Sequence, residues 1–397
     1  MKIPFGTLTI TQRSKVLIRE ILDSNRISSG KYVSNFEKKF AGLIGTKEAV
    51  ALSSGTDADA LALAVLYDFG ANRGDEIVIP ALSFVATGNA VLQAGFKPVF
   101  VDVRLETLNI NPSKIEAAIT EKTKAIMPVH LMGKPADMDA IERIARKHDL
   151  FVIEDAAEAY GTEYKGKAAG TFGDMACFSL YTAHMITTVE GGIVVTDNTE
   201  YAEILRSLRS HGRACKCDEC ILNTRSAYCK KRFKDKNRTD IRFIFERIGY
   251  SSKMNELEAA IGLGQIEIYD EILKKRRKNL RYLIEGFKQF KSDLMTLKEE
   301  PYEKIGPHAF AIVIGKDSNI DRDEFVDHLE KKGIDTRSLF SSMPTQCDGF
   351  RFLGYKSGDF PNAEYIGDNG FHIGIHQEID KRHLDYFIET VKDFIGR

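Results

Sequence analysis

Four cysteines, Cys215, Cys217, Cys220 and Cys229, fall within fifteen residues in the pattern C-x-C-x2-C-x8-C. Thiols this dense in a long chain point to a tetrathiolate metal site, and both zinc and an iron–sulfur cluster suit the spacing. Other polar residues come directly after short apolar runs. Ser53-Ser54-Gly55-Thr56 follows Ala49-Val50-Ala51-Leu52 and precedes the helical run from Ala58 to Leu66. Small residues there let backbone N–H groups at a helix start approach a phosphate, with the Thr56 hydroxyl as a further donor, although the ordinary reading of Ser-Gly-Thr is a cap. Asp155 ends Phe151-Val152-Ile153-Glu154; a carboxylate at that depth either caps the next helix or keeps a ring nitrogen protonated. Phe84 in Pro80-Ala81-Leu82-Ser83-Phe84 and Ser179 in Ala176-Cys177-Phe178-Ser179 complete the set, their plainer readings being a core ring and a strand-end hydroxyl. His184 stands five positions after Ser179 and ahead of Glu190-Gly191-Gly192. Its imidazole, with an ordinary pKa of about 6.5, can take and return protons near neutral pH.

These residues need a scaffold that gathers strand ends. The runs Ala49–Leu52, Ile77–Pro80, Val99–Asp102, Ala125–Val129, Phe151–Ile153 and Ala176–Ser179 are short, continuous and separated by helix-length segments. That alternation predicts an α/β fold with a mainly parallel central sheet and flanking helices, whose ligands bind at the carboxyl ends of the strands. From Glu267 to Phe290 the pattern is long, charged and helical, with Leu273, Leu280, Leu283, Ile284 and Phe287 on one face. It reads as the connector to a smaller C-terminal α+β domain holding a strand at His308–Ile314 and helices at Phe325–Leu329 and Phe387–Val391. The expected division is a cofactor-binding domain over residues 1–266, with a Cys-rich insertion at about 213–242, and a connector helix and small domain over 267–397.

The bulk properties exclude several classes. With 397 residues, 56 Lys+Arg and 57 Asp+Glu, the chain can bury a substantial core and carries no global field for nucleic acid. No apolar run reaches the roughly 18 residues that suggest a membrane span, and the first residues lack a signal-peptide core, so the expectation is a soluble, cytoplasmic protein.

The motif Cys177-Phe178-Ser179-Leu180-Tyr181-Thr182-Ala183-His184 with Glu190-Gly191-Gly192 resembles the DegT/StrS sugar aminotransferase family of fold type I pyridoxal-phosphate enzymes. So do Glu154-Asp155-Ala156-Ala157-Glu158-Ala159-Tyr160-Gly161, Gly249-Tyr250-Ser251-Ser252-Lys253 and Gly370-Phe371-His372-Ile373-Gly374. In that family the residue at 184 is normally a lysine that forms an imine with the cofactor. Histidine there resembles the 3-dehydratase branch, which removes the C3 hydroxyl of a nucleotide-linked 4-keto-6-deoxyhexose for deoxysugar and lipopolysaccharide biosynthesis. The resemblance implies His184 as the proton-moving base, with pyridoxamine or pyridoxal 5′-phosphate as cofactor. It places Asp155 on the ring nitrogen, Glu158 near the ring hydroxyl, Phe84 on the ring face, and Gly55, Thr56 and Ser179 around the phosphate. Ser251 stands where the family has an asparagine that reaches a neighbouring subunit's cofactor phosphate, and a homodimer is implied.

One route in this branch needs electrons and uses a [2Fe–2S] centre, which favours iron–sulfur over zinc at the cysteines. Relatives of that kind share the Cys215-x-Cys217 pair, but they take another ligand where this chain has Ala157, leaving Cys220 to supply the missing thiolate. The neighbouring basic residues Arg225, Lys230, Lys231, Arg232, Lys234, Lys236, Arg238 and Arg242, against Asp235 and Asp240, suit an acidic electron-donating reductase or a sugar-nucleotide diphosphate. The alternatives are the same dehydration with glutamate regenerating the amino cofactor and zinc or nothing at the cysteines, or a non-catalytic relative with a metal-stabilised binding segment.

Overall fold

The computed structural model describes residues 1–217, 220–225, 227–233 and 239–396. Lys234, Asp235, Lys236, Arg238 and the side chain of Arg225 lie outside the described residues.

Seven strands form the central sheet: β1 (Glu48–Leu52), β2 (Glu76–Pro80), β3 (Lys97–Val101), β4 (Thr123–Ile126), β5 (Phe151–Asp155), β6 (Met175–Ser179) and β7 (Gly192–Thr196). Their order is β1-β7-β6-β5-β4-β2-β3. The expected mainly parallel sheet is present, with one reversal: β7 is antiparallel to both β1 and β6. Residue alternation explains why both faces are covered. Val50 and Leu52 point into the core shared with Leu61, Ile79 and Val194. Ala49 and Ala51 point the other way, into the core of Phe36, Phe40, Phe178 and Leu263. Strands buried on both faces read as unbroken apolar runs, the pattern seen in the sequence.

Four antiparallel strands make a second sheet, β8 (Leu294–Thr296), β9 (Ala309–Ile314), β10 (Thr336–Ser338) and β11 (Gly370–Gly374), ordered β8-β9-β11-β10. The helices Arg322–Lys331 and Lys381–Ile395 accompany it, and the helix Tyr269–Phe287 joins it to the large sheet. The large-sheet side ends in a helix, Glu256–Glu267, whose start is fixed by a reciprocal cap between Asn255 and Glu258.

Two details tie the halves together. Residues 1–5 lie against the small sheet's surroundings: Ile3 N–H donates to Gly333 O at 2.8 Å and Ile3 O accepts from Asp335 N–H at 2.9 Å. The chain then crosses to the helix Gln12–Ser24, which packs on Glu256–Glu267. The short strand Glu303–Lys304 pairs with Glu163–Tyr164 of the larger half, beside a buried ion pair between Lys134 and Glu303. Among the described residues no helix is long and apolar enough to cross a membrane.

Candidate active site

The reversed strand is what assembles the phosphate corner. Because β7 runs against its neighbours, its first residue lies level with the last residues of two others: Gly192 pairs with Leu52 and with Ser179. Ser53–Thr56 therefore leaves β1 beside the Glu190-Gly191-Gly192 turn. Ser54 caps the helix Gly55–Val65, its hydroxyl accepting from Asp57 N–H at 3.0 Å. A Cβ at Gly55 would lie 2.8 Å from Ser179 Cβ, and one at Gly192 would collide with the Ser54 carbonyl. Only glycine lets the three chain segments approach this closely. Val189, just before the turn, adopts φ 77°, an uncommon conformation for a β-branched residue that marks a tightly held turn. Thr56 sits in the first turn of that helix and is half-buried. Ser179 is nearly buried, its hydroxyl accepting from Tyr181 N–H at 3.3 Å. Ser251 is exposed; the adjacent Ser252 carbonyl accepts from Ser53 N–H at 3.2 Å, so that stretch borders the loop within one chain.

At the end of β5 two acids are divided between structure and cleft. Glu154 is consumed by the fold: it accepts N–H groups of Gly170, Phe172 and Gly173, each at 2.8 Å, and a 2.9 Å bond from His130 Nε2. The Ala136 N–H donates to His130 Nδ1 at 3.0 Å, which fixes the ring proton on Nε2. Asp155 Oδ2 instead accepts from Thr87 Oγ1 at 2.7 Å, and Thr87 is bonded to Ser83 Oγ at 2.9 Å. Burial raises the Asp155 pKa, while the Thr87 and Ala157 hydrogen bonds work against that rise. Burial, and after it the Asp155 charge, drives the buried Asp59 well above the ordinary carboxylate range. Phe84 begins the helix Val85–Ala94 one turn before Thr87 and is 57% exposed, its ring 5.6 Å from that of Phe340. An exposed aromatic ring beside a buried carboxylate is a ready face for a flat ligand.

His184 is half-buried, and its Nδ1 is enclosed without a hydrogen-bond partner. Burial, reinforced by the Arg276 charge, lowers its pKa to about 4, so the imidazole is a free base at neutral pH. Its ring lies 5.2 Å from that of His308, at 37°. His308 Nε2 is 3.4 Å from Glu158 Oε1, and Glu158 Oε2 accepts from Met132 N–H at 2.6 Å. Burial pushes Glu158 up to about 8, only partly offset by the Met132 hydrogen bond. Arg276, buried on the connector helix, donates to Gln377 Oε1 at 3.2 Å and has no carboxylate within ion-pair distance among the described residues. The structure thus brings His184, Glu158, Asp155, Phe84, Ser179, Gly55 and Thr56 to one end of the sheet. It adds Thr87, His308 and Arg276, which sequence reasoning did not single out. Only Thr87 carried a local signal, as the residue one helical turn after Ser83.

The four cysteines are gathered separately. Cys215, Cys217, Cys220 and Cys229 line one cavity with Lys230, Lys231, Arg232 and Arg242. Burial, followed by the fields of Cys215 and Cys229, pushes the Cys217 thiol up to about 11. Among the described residues no three His, Cys, Asp or Glu side chains are close enough together to hold a metal. Arg232 and Arg242 both turn to Asp240, so part of the expected basic patch is neutralised within the segment.

The model of the DegT/DnrJ/EryC1/StrS aminotransferase family matches residues 9–392. The chain belongs to that family. A dTDP-4-dehydro-2,6-dideoxy-D-glucose 3-dehydratase of Saccharopolyspora spinosa is 36% identical over 99% of this chain and 86% of its own length. A GDP-perosamine synthase of Caulobacter vibrioides is 35% identical over 94% of this chain and 93% of its own. Overall identity therefore does not separate the activities for which these DegT-family relatives are named. A solved GDP-4-keto-6-deoxymannose-3-dehydratase with a trapped PLP–glutamate geminal diamine superposes with a TM-score of 0.87 at 32% identity, covering 98% of this chain and 100% of its own.

Proposed function

We propose that this DegT-family chain binds pyridoxamine or pyridoxal 5′-phosphate and removes the C3 hydroxyl from a nucleotide-linked 4-keto-6-deoxyhexose. The observation that carries the reading is His184, an unprotonated and unpartnered imidazole at the position of the family's lysine, within an otherwise complete frame. The corner where a Cβ at Gly55 would strike Ser179, the unpartnered Nδ1 of His184 and the buried Asp155 together fit that cofactor.

When bound, the cofactor supplies an electron sink that labilises bonds beside a condensed ketone. Ser179, Thr56 and the N–H groups beginning at Gly55 hold its phosphate, with Ser251 beside them. Phe84 covers one ring face. Asp155, whose carboxylate form the Thr87 and Ala157 hydrogen bonds favour against burial, would pair with the ring nitrogen. Glu158, neutral below about pH 8, donates to the ring hydroxyl oxygen where an ionised carboxylate would repel it. His184 would take a proton and return it to the departing C3 hydroxyl so that it leaves as water, and it cannot capture the cofactor covalently as a lysine does.

The deciding experiment supplies pyridoxamine phosphate and a nucleotide-linked 4-keto-6-deoxyhexose and reads the product by mass and NMR. Replacement of the C3 hydroxyl by hydrogen, a net loss of one oxygen from the sugar as pyridoxamine phosphate goes to pyridoxal phosphate with release of ammonia, supports the proposal; an amine at C4 with the C3 hydroxyl retained overturns it. Two routes complete the cycle. Electron delivery through an iron–sulfur cluster, from an acidic reductase, has only the C-x-C-x2-C-x8-C spacing in its favour, since the described residues bring no three ligands together. Regeneration by glutamate, with zinc or nothing at the cysteines, is supported by the glutamate adduct trapped in the related dehydratase. Anaerobic quantification of iron, sulfide and zinc separates them. Six free cysteines suit a reducing, cytoplasmic setting. The exposed Tyr181, Val189, Phe243, Phe245 and Ile248 support a homodimer.

A further inference from the structure

His308 immediately precedes β9 and packs against both His184 and Glu158. Three contacts fix it. Its Nε2 lies 3.4 Å from Glu158 Oε1, and its ring lies 5.2 Å from the His184 ring. Its own carbonyl faces Arg276 NH1 at 3.5 Å. Glu158 is itself anchored on the opposite side by Met132 N–H, in a turn where Met132 has φ 54° and Gly133 φ 75°. A Cβ at Gly133 would strike the Gly306 carbonyl, so this turn is wedged against the segment leading into His308. The clamp is built from both halves of the molecule and ends on the His184 ring, whose Nδ1 is buried without a hydrogen-bond partner.

We propose that His308 is a positioning residue for His184: set against Glu158, it walls the imidazole off from water and fixes its plane. The proposal rests on the reading of His184 as the base. Every charged or titratable neighbour in contact agrees with it. His184 faces Tyr181, His308 and the Arg276 charge. His308 faces Glu158, His184, His372 and Arg276. No ionised carboxylate among these groups would draw a proton onto His184, because Glu158, the one acid, is neutral at pH 7. Burial is the main cause that holds His184 down to about 4, and His308 supplies part of that enclosure.

The test needs no turnover. In cofactor-free, full-length protein, the His184 ring is titrated by NMR in wild type, His308→Ala and His308→Phe. Removing the ring admits water, so the midpoint in His308→Ala should climb by at least about one pH unit toward the ordinary histidine value of about 6.5. In His308→Phe, which restores an aromatic face without a polar atom, the midpoint should stay within about half a unit of wild type. An unmoved midpoint in His308→Ala overturns the proposal. A shift of equal size in His308→Phe overturns it as well, since polarity rather than enclosure would then be responsible. If dehydration is seen, the acid limb of kcat should follow the same order, with KM changed less than kcat. Failure of the dehydratase reading would leave the NMR result standing and is thereby distinguished from failure of the positioning role.

Discussion

Thr87→Val is the sharpest single perturbation of the site, because it removes one hydroxyl while preserving shape. An ionised Asp155 can only accept, so the Thr87 proton is committed to Asp155 Oδ2 and Ser83 must donate to Thr87. In the variant, Asp155 keeps only the Ala157 N–H at 3.2 Å. A hydrogen bond to a charged group is worth about 1.5–3 kcal/mol, which corresponds to roughly ten- to a hundredfold in kcat. The sign of the pH effect is also set. Donation from Thr87 favours the carboxylate, so its loss moves Asp155 further in the direction burial already pushes it, and the acid limb of kcat moves toward neutral pH. Thr87 is buried, and loss of its hydroxyl leaves the buried Ser83 hydroxyl and Asp155 carboxylate each short of a partner, so the melting temperature should also fall. The assay is kcat against pH, with cofactor affinity from fluorescence quenching. A folded Thr87→Val enzyme whose affinity, kcat and acid limb all match wild type would refute the assignment of Asp155 to the ring nitrogen.

Other consequences follow from the same geometry. Glu158 ionises near pH 8, so activity should decline above that pH, and Glu158→Gln, which cannot ionise, should lack this alkaline limb in a kcat profile. His184→Lys should form a covalent link to added pyridoxal phosphate; borohydride reduction followed by mass spectrometry should fix the cofactor to residue 184, and the absence of any adduct would mean that the side chain does not face the site. Gly55→Ala places a Cβ 2.8 Å from Ser179 Cβ, a crowding expected to cost about 1–3 kcal/mol. It should weaken cofactor binding at least tenfold in a titration, and unchanged binding would remove Gly55 from the phosphate corner.

Strand identities and the residues that end them were legible because buried parallel strands need continuous apolar runs and polar side chains collect where those runs stop. Asp155, Ser179 and Gly55 were found that way. The direction of β7 was not legible: Ile193–Thr196 has the same composition whichever way it runs, yet its reversal is what sets Gly192 beside Ser179 and Leu52. His308 and Arg276 were equally invisible, since each reaches His184 from an element about a hundred residues or more away with no spacing rule linking them. The cysteine pattern was plain in the sequence. Its spacing, however, describes which thiols can meet, whereas metal binding depends on how loop backbones orient them, and the described residues do not bring three together.

The path of residues 1–5 has a mechanical consequence. The chain passes between the two halves once before the helix Gln12–Ser24 and again at the helix Tyr269–Phe287. The Glu303–Tyr164 pairing adds a third tie, and one continuous core runs from Leu52 and Ile79 of the large sheet to Phe310 and Phe371 of the small one. Wide swinging of the small sheet away from His184 is thereby blocked. Room for a bulky ligand would then come from side chains and loops at the rim, with the spacing of His308 and His184 set by the packing of the two halves.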